Sequence, residues 1–269
     1  MILPIGGVSR PRREVFYGDL IIYEYYDPYL EPHPEYLVLG LPDAGLVGSI
    51  ASRHLVFSKK FAFIAEIDSP VRLPPITVVH NSIPISPIQL YMSRDRRIVT
   101  LLSETPIPIH TIYPMINTII NYAREINIKY LISLSGIAVP NRLQIEKPKV
   151  YWLASNSNAR ELIKETEIEE LKEGFVVGPY AVLLKEARRK GMSNLALFVE
   201  SFLDIPDPES AAEALKVLSS IINIDIDVKE LLEEAELLKL KTRELMMQTK
   251  KALSEMQKKY EMQMPLMYQ

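Results

Sequence analysis

The chain of 269 residues contains no cysteine. Disulfides, thiolate nucleophiles and cysteine-ligated metals are therefore excluded. No uninterrupted apolar run approaches about eighteen residues, so we expect no membrane-spanning helix. The apolar run within residues 1–15 is too short for a secretion signal, and the charges follow that run instead of preceding it. We therefore expect a cytoplasmic protein.

The chain also has little excess of either charge, because 31 basic and 34 acidic residues give a formal net charge of −3. A chain so close to neutral has no general attraction to nucleic acid or to an anionic membrane, and we expect neither as a partner. The only histidines are His33, His54, His80 and His110, and no two of them have the spacing of metal ligands. We expect no metal and no cofactor. A content of 48% hydrophobic and 24% charged residues suits one large α/β domain with room for an appendage.

The stretch EYLVLGLPDAGLVGSIASRH, residues 35–54, organises the rest of the chain. Its apolar run Tyr36–Leu39 lacks polar alternation and predicts a buried strand. Gly40–Asp43 then breaks the strand, since glycine frees the backbone and proline removes a donor. The small and apolar residues of 44–55 predict a helix, with Asp43 as its capping residue. A strand, a glycine turn and a helix are typical of the opening of an α/β domain.

The glycines of this turn invite a nucleotide-binding interpretation, which the spacing does not support. Gly40, Gly45 and Gly48 match neither G-x-G-x-x-G nor the phosphate-loop pattern, which needs Lys and Ser or Thr. Asp43 would also repel a phosphate at the helix N-terminus. Glycine is costly in an exposed helix. We therefore interpret Gly45 and Gly48 as sites of close packing against a sheet or another subunit.

The remaining core alternates strands with helices, which predicts a mixed, mostly parallel sheet with helices on both faces. Residues 1–17 read as a loose arm, 18–227 as the α/β core and 228–269 as a helical tail. The main predicted elements after the glycine turn are strands at Phe61–Ile67, Ile88–Met92, Ile98–Leu102, Tyr130–Leu134, Val150–Leu153 and Leu195–Val199, and helices at Tyr113–Ile126, Asn156–Lys172, Gly178–Lys190 and Glu209–Ile222.

The tail is charged and has no glycine or proline from residue 228 to 264. Apolar residues recur in it at heptad spacing, which predicts a narrow seam on a long helix of coiled-coil type. The seam consists of Leu231, Leu238, Leu245 and Ala252, with Ala235, Thr242, Thr249 and Met256 between them. The first half of this helix can lie on its own domain or a sister subunit, or project from the body. Beyond Thr249 we favour a projecting arm.

Several long motifs, in order along nearly the whole chain, resemble the proteasome assembly chaperone family. The resemblance is to the branch of the second eukaryotic chaperone and its archaeal relatives. The motifs are LGLPDAGLVGSIASRHL from Leu39, RLPPI from Arg72, GIAVPNR from Gly136, GFVVGPYAVLL from Gly174 and NLALFVESFLDIPDPESAAEAL from Asn194. The resemblance implies a three-layer α/β/α sandwich similar to nucleoside phosphorylases. It also implies a non-enzymatic chaperone or adaptor that assembles as a homo-oligomer of four or five subunits.

The chain ends in Met267, Tyr268 and Gln269, which resembles the terminal motif by which proteasome activators and some assembly chaperones dock on the core particle. By that resemblance, the Gln269 carboxylate pairs with a lysine in a pocket between α-subunits, while Tyr268 and Met267 fill its apolar wall. This is a terminal-carboxylate mode of peptide recognition. Tyrosine offers a large contact area at little entropic cost.

A rival hypothesis is an enzyme that hydrolyses or phosphorolyses a nucleoside or nucleotide. Glu200 lies at the carboxyl end of a predicted strand, where α/β sheets bind ligands, and its surroundings resemble the ribose-binding region of nucleoside phosphorylases. Asp43, Arg142, Glu200 and Asp204 would then line a vestigial cleft. We favour a simpler alternative in which Glu200 binds backbone at a strand corner, while Asp204 and Asp207 cap turns. No Gly-x-Ser-x-Gly elbow supports a serine hydrolase. A third hypothesis is a structural ring that presents its tails to another protein.

Overall fold

The computed structural model describes residues 10–28, 32–80 and 82–237. Within these residues, one sheet of ten strands forms the centre, in the order β1-β2-β4-β7-β8-β3-β9-β12-β10-β11, and β5 and β6 form a separate hairpin. The strands are β1 Arg13–Tyr17, β2 Leu20–Glu24, β3 Tyr36–Gly40, β4 Ala62–Asp68, β5 Val78–His80, β6 Ile83–Ile85, β7 Ile88–Met92, β8 Ile98–Ser103, β9 Tyr130–Ala138, β10 Val150–Ala154, β11 Glu169–Glu170 and β12 Ser193–Ser201.

The helices alternate with strands along the chain, as in an α/β domain. They are α1 Val47–Ser58, α2 Ile112–Glu125, α3 Ser157–Glu161, α4 Gly178–Arg189 and α5 Pro208–Ile222. A further helical segment occupies residues 229–237. Proline stands in the first turn of both α4 and α5, where its missing N–H costs no helical hydrogen bond.

The sheet is mixed, as predicted, but its run of parallel strands is confined to four strands at the centre. β8, β3, β9 and β12 are parallel neighbours. The strands that flank this centre, from β1 to β7 on one side and β10 on the other, pair antiparallel. The prediction of a mostly parallel sheet is therefore wrong for these flanking strands, although the two-residue β11 at the edge pairs parallel with β10. Their short apolar runs resemble those of the central strands, so sequence alone did not separate the two kinds of pairing.

Two apolar cores lie on the two faces of the sheet and give the predicted α/β/α sandwich. Leu37 and Leu39 of β3 belong to one core together with residues of α2 and α4. Tyr36 and Val38 belong to the other core, with residues of α1, α3 and α5. Successive side chains of a strand point to opposite faces. A run with no polar residues is therefore what a strand covered by helices on both sides requires.

Two predicted segments differ from the structure. Arg13–Tyr17, assigned to a loose arm, form strand β1, whose Val15 is buried in the first core and which pairs with β2. Residues 156–172, predicted as one helix, form only the short helix α3 and the two-residue strand β11, which pairs with β10. Asn156 caps α3 by accepting a hydrogen bond from the Ala159 N–H at 2.9 Å. The division into arm, core and tail stays a proposal.

Candidate functional site

The glycine turn after β3 brings α1 into close contact with the sheet. A Cβ atom added at Gly48 would lie 2.3 Å from the carbonyl oxygen of Leu134 in β9, so only glycine allows this approach. Gly45 has a φ of +63° and lies in a 3-10 turn before α1. The prediction of close packing at these glycines is confirmed, but α1 begins at Val47 and not at Ala44.

Asp43 does not cap the 3-10 turn that opens the helical segment, although the backbone of Gly48 in the first turn of the later helix acts on its carboxyl group. Its side chain makes no capping hydrogen bond to the 3-10 turn Ala44–Leu46. Its Oδ2 accepts a hydrogen bond from the Gly136 N–H at 2.9 Å, so the side chain joins the ends of β3 and β9. Its Oδ1 is buried and has no hydrogen-bond partner among the described residues.

This environment stabilises the protonated form of Asp43. Burial raises the pKa of the carboxyl group to about 7, although the polar groups of Ser135, Gly136 and Gly48 act in the opposite direction. Desolvation disfavours the charged form of a carboxyl group, which is why burial prevails here. The pKa of the Asp43 carboxyl group therefore lies near neutral pH.

Tyr180, in the first turns of α4, fixes the backbone at the start of the glycine turn. Its hydroxyl oxygen accepts from the Leu41 N–H at 2.8 Å, and the hydroxyl lies 3.1 Å from the Leu39 carbonyl oxygen, to which it donates. Burial raises the pKa of Tyr180 well above its usual value, so the hydroxyl stays protonated. Tyr180 is not among the site residues predicted from the sequence. Its place in the GFVVGPYAVLL motif was the only signal available.

Arg142 is almost wholly buried, with 1% of its surface exposed, and each of its three guanidinium nitrogens donates a hydrogen bond. Its Nε and Nη2 donate to the two carboxylate oxygens of Asp207 at 2.7 and 3.0 Å. Nη2 also donates to Glu209 at 2.7 Å, and Nη1 donates to the Ile145 carbonyl oxygen at 3.0 Å. Burial lowers the pKa of Arg142, but the two carboxylates outweigh it and raise the pKa overall. Such a bidentate pair fixes geometry as well as charge.

Asp207 also explains how this loop joins α5. Its Oδ1 accepts from the Ser210 N–H at 3.1 Å, which caps the first turn of the helix. The Asp207 N–H donates to the Gly45 carbonyl oxygen at 2.8 Å. Asp207 therefore connects the glycine turn, the loop after β9 and the start of α5.

Glu200 and Asp204 lie apart from this network. The Glu200 carboxylate accepts from the Lys149 N–H at 3.0 Å and from the Tyr151 hydroxyl at 3.3 Å. Val199 belongs to the core on the side of α5, so the neighbouring Glu200 side chain points to the opposite face of the sheet. Asp204 is exposed in the loop before α5.

The structure does not bring the four residues of the predicted cleft into contact with one another. Across the described ranges, no hydrogen bond or ion pair joins any two of Asp43, Arg142, Glu200 and Asp204. Three of the five N–H donors of the Arg142 guanidinium are directed to Asp207 and Glu209, and a fourth is directed to the Ile145 carbonyl oxygen. Ligand binding at this edge stays a prediction.

The base of the tail lies on the body. Leu231 and Ala235, the first two residues of the predicted seam, are buried, and Leu231 belongs to the core beside α1 and α5. The His54 ring nitrogen Nε2 lies 2.6 Å from the Asp227 carbonyl oxygen and holds the segment that leads into this helix. An open groove of about 490 Å³ between α1 and the helix is lined partly by Arg53, Phe57 and Glu234. The start of the helix therefore lies on its own domain.

The later residues of the seam and the terminal residues Met267, Tyr268 and Gln269 lie outside the described residues. In the portion of the chain that is described, no helix combines the length and apolar character needed to cross a membrane. Within the same residues, no three acidic or histidine side chains gather in a way that suits a metal ion.

Comparisons with known proteins agree on one family. Residues 37–246 match the model of the PAC2 family. The crystal structure of Pyrococcus furiosus PbaA, described as an archaeal homolog of proteasome-assembly chaperone, has a TM-score of 0.75 and 25% identity over 94% of this chain and 100% of that chain. PbaB of the same organism, described as an archaeal proteasome activator, has a TM-score of 0.73 and 23% identity over 84% of this chain and 98% of that chain. At that lower identity, PbaB supports the fold alone.

A relative found by sequence comparison also comes from an archaeon. The uncharacterized protein MJ0106 of Methanocaldococcus jannaschii is 29% identical over 230 residues, which cover 84% of this chain and 91% of that protein. The relatives named here are archaeal, and the match extends over most of both chains.

Proposed function

The chain belongs to the PAC2 family, and from this we propose that it is a proteasome assembly chaperone or adaptor. In this role it binds the α-ring of the proteasome core particle through its C-terminal tail and performs no catalysis. The observation that carries the proposal is the family match over residues 37–246, supported by the similarity to PbaA along nearly the whole chain. We assign the chain to the second-chaperone branch and to the cytoplasm on the resemblance of its motifs.

The tail is the proposed docking element. Its helix starts at residue 229 on the side of the body formed by α1 and α5, and residues 238–269 follow it. In the proposed complex, the carboxylate of Gln269 pairs with a lysine in a pocket between two α-subunits. Tyr268 and Met267 fill the apolar wall of that pocket. A free chain end can enter such a pocket where an internal segment cannot.

The body is proposed to form a homo-oligomer of four or five subunits. Each subunit contributes one tail, and several tails on one oligomer raise the effective concentration of each docking residue at the α-ring. Weak contacts at a single pocket are then sufficient for stable binding. The oligomer and the tail thus act together in the proposed function.

Native mass spectrometry of the protein mixed with purified archaeal core particle or α-rings tests this proposal. The full chain is compared with a chain that ends at Leu266. We expect a complex with the full chain and none with the shortened chain, and the mass of the complex gives the number of subunits. If deletion of the last three residues leaves binding unchanged, docking through the terminus is wrong.

Two variants separate the terminal motif from the general character of the tail. Tyr268→Ala removes the ring proposed to enter the pocket, while Tyr260→Ala makes the same change eight residues upstream. We expect Tyr268→Ala to weaken the complex at least about tenfold and Tyr260→Ala to leave it nearly unchanged. Equal losses in the two variants would indicate a contact along the helix instead of docking by the terminus.

A further inference from the structure

A groove lies beside the base of the tail, between α1 and the helical segment of residues 229–237. Its volume is about 490 Å³, and residues of both helices line it, so that it is one continuous cavity with two walls. We name it the tail groove. Its described lining consists of Ile50, Arg53, His54, Phe57 and Ser58 on α1 and of Glu230, Leu231 and Glu234 on the segment 229–237.

The apolar part of the tail groove is held in place but only partly covered. Leu231 belongs to the core beside α1, whereas Phe57 keeps 44% of its surface exposed. The guanidinium carbon of Arg53 lies 5.0 Å from the centre of the Phe57 ring, and the Tyr91 ring lies 6.2 Å from the same ring. Phe57 therefore has fixed neighbours on the side of the body and a free surface in the groove. An apolar surface in a groove is typical of a site that binds another segment.

The wall that the tail contributes is acidic. The segment 229–237 carries four acidic residues and one basic residue, Lys229, which lies 3.8 Å from Glu233 outside the groove. Across residues 10–28, 32–80 and 82–237, no cation forms an ion pair with Glu230 or Glu234. Arg53 on the opposite wall pairs with Glu104 at 3.5 Å instead. The groove is therefore suited to a segment with an apolar face and positive charges beside it.

The distal part of the tail of this chain has that character. The stretch 238–252 contains Leu238, Leu245 and Ala252 of the predicted seam. As a helix it would be about 22 Å long, and α1 is about 18 Å long. Its charge is opposite to that of the wall formed by 229–237. The basic residues of the stretch are Lys239, Lys241, Arg243, Lys250 and Lys251, and its acidic residue is Glu244.

The direction of the chain indicates that a neighbouring copy supplies this stretch. Lys59 Nζ lies 3.9 Å from Asp225 Oδ2, and His54 Nε2 lies 2.6 Å from the Asp227 carbonyl oxygen. The chain therefore passes back along α1 from its end toward its start, and its own residues after 237 would have to reverse direction to enter the groove. Glycine and proline, which favour reversals, are absent from 228–264.

We propose that the tail groove holds residues 238–252 of a neighbouring copy, an inference that rests on the homo-oligomer of the proposed function. The groove and the segment that fills it are different surfaces, so the contact is heterologous. Heterologous contacts generate a ring when the rotation between copies closes. Residues 253–269 extend beyond the filled groove and leave the chain end available to the core particle. Assembly and docking then use successive parts of one tail.

The first test reverses the charge of the groove and measures the mass of the full-length protein by native mass spectrometry over a series of concentrations. The variant is Glu230→Lys/Glu234→Lys. The matched control is Glu233→Lys/Glu236→Lys, which makes the same change in charge on the same segment at exposed positions outside the groove lining. Thermal unfolding establishes that each variant is folded.

We expect the groove variant to raise the dissociation constant of the oligomer at least about tenfold, while the control leaves it nearly unchanged. Lys239→Glu/Lys241→Glu should weaken the oligomer as well. Combined with the groove variant it should restore much of the loss, because the charges are then exchanged between the two surfaces. An unchanged dissociation constant in the groove variant, or an equal loss in the control, would overturn the inference.

The second test identifies the copy that fills the groove and needs no change of charge. Since the chain has no cysteine, one preparation carries only Ser58→Cys in the groove, and another, labelled with a heavy nitrogen isotope, carries only Leu245→Cys. The two are mixed at a concentration where the oligomer dissociates, concentrated together and mildly oxidised. We expect a disulfide between the two preparations, identified by its mass. Ser220→Cys, at an exposed position of α5 outside the groove lining, replaces Ser58→Cys as the control and should give none.

A chain that carries both Ser58→Cys and Leu245→Cys gives the opposing result. A disulfide formed only within single chains would show that the groove holds the chain's own tail, which would overturn the inference. An equal yield of mixed disulfide with Ser220→Cys would overturn it too, because the tail would then have no preference for the groove.

Failure of the proposed function gives different results. A parent protein that stays monomeric at every concentration would overturn both the homo-oligomer and this use of the tail groove. A parent oligomer that depends on the groove but binds core particle equally well without its last three residues would support this inference and contradict docking through the terminus.

Discussion

Arg142 and Asp43 both lie at the carboxyl edge of the sheet, but their charged groups have different partners: the whole Arg142 side chain is buried, whereas Asp43 is partly exposed and only its Oδ1 is fully buried. Arg142 has two carboxylates and a carbonyl oxygen around its guanidinium. Asp43 has one oxygen bonded to the Gly136 N–H and one with no hydrogen-bond partner among the described residues. The first arrangement holds an ion pair, while the second favours a neutral acid.

This difference in partners determines how the contribution of each residue to stability depends on pH. Burial of a charge is tolerated when partners compensate for lost water, as at Arg142. Asp43 lacks a cationic partner in the described contacts and responds through its pKa, which burial raises to about 7. Arg142 therefore joins loops over the whole pH range of the cell, whereas the contribution of Asp43 depends on pH.

Arg142→Ala removes the buried cation paired with Asp207 and Glu209 and has the largest expected effect. The substitution leaves Asp207 and Glu209 without their buried cation, so we expect the free energy of unfolding to fall by about 3–5 kcal/mol. Urea denaturation measures it. The control is Arg160→Ala, which removes an exposed pair with Glu170 and costs at most about 1 kcal/mol. Equal losses would mean that burial of the Arg142 pair is unimportant.

Asp43→Asn tests the contribution of the Asp43 carboxyl group through the pH dependence of the free energy of unfolding. The native pKa of about 7 lies above the usual value of 3.8, so the folded protein holds a proton that the unfolded chain releases. This contribution to stability is complete below about pH 4 and disappears as the pH rises through 7. At about 1.4 kcal/mol for each pKa unit, a shift from 3.8 to about 7 corresponds to a loss of roughly 4 kcal/mol.

Parallel urea titrations of the parent and Asp43→Asn between pH 4 and 8 measure this loss as the difference between the two proteins. The amide introduced at position 43 stays neutral throughout this range, so the curve of the variant should lack the decline assigned to Asp43. Asp204→Asn, a change at an exposed carboxylate of the same edge, is the control and should keep the decline. Identical slopes for the parent and Asp43→Asn would contradict the assignment.

Tyr180→Phe tests an uncharged hydrogen bond at the same turn, between the Tyr180 hydroxyl and the Leu41 N–H. It leaves the buried Leu41 N–H without its acceptor, and we expect a loss of about 1–3 kcal/mol in the free energy of unfolding. Tyr113→Phe removes a half-exposed hydroxyl and should cost under about 0.5 kcal/mol. Chemical denaturation at one pH compares the two. A loss at Tyr113 as large as that at Tyr180 would count against the role of the buried bond.

Glu200→Gln has the smallest expected effect, because Glu200 is partly exposed and its carboxylate accepts from the Lys149 N–H and the Tyr151 hydroxyl, both near the surface. We expect a change of at most about 1 kcal/mol in stability. A thermal-shift screen of the parent with nucleosides, phosphate and ATP should give no shift. A clear shift that Glu200→Gln abolishes would support the rival hypothesis of an enzyme.

The strongest elements could be predicted because local pattern and tertiary role agree in them. Ile88–Met92 is the strand that the sequence predicted, and α2 and α4 differ from their predicted bounds by about one residue. The close approach at Gly48 was predicted because glycine is costly in a helix without such a reason. Membership of the family was recognised from motifs distributed along the chain.

Other features were hidden because they depend on pairings and contacts that no local residue pattern specifies. The direction of the outer strands is set by their neighbours, and β1 was missed because its pairing with β2 is what makes a strand of a charged segment. Asp43 had the residue type and position of a helix cap, but its acceptor oxygen meets Gly136, 93 residues away. Arg142 was grouped with Glu200, whereas folding brings it to Asp207 and Glu209.

The sequence by itself determined the class of this protein, since apolar runs, turns and helix starts are properties of neighbouring residues. It also carried the resemblance that led to the proposed function. The tertiary structure alone decided which charges meet and which carboxyl group has a raised pKa. Those properties depend on distance and burial between segments, and no pattern along the chain contains them.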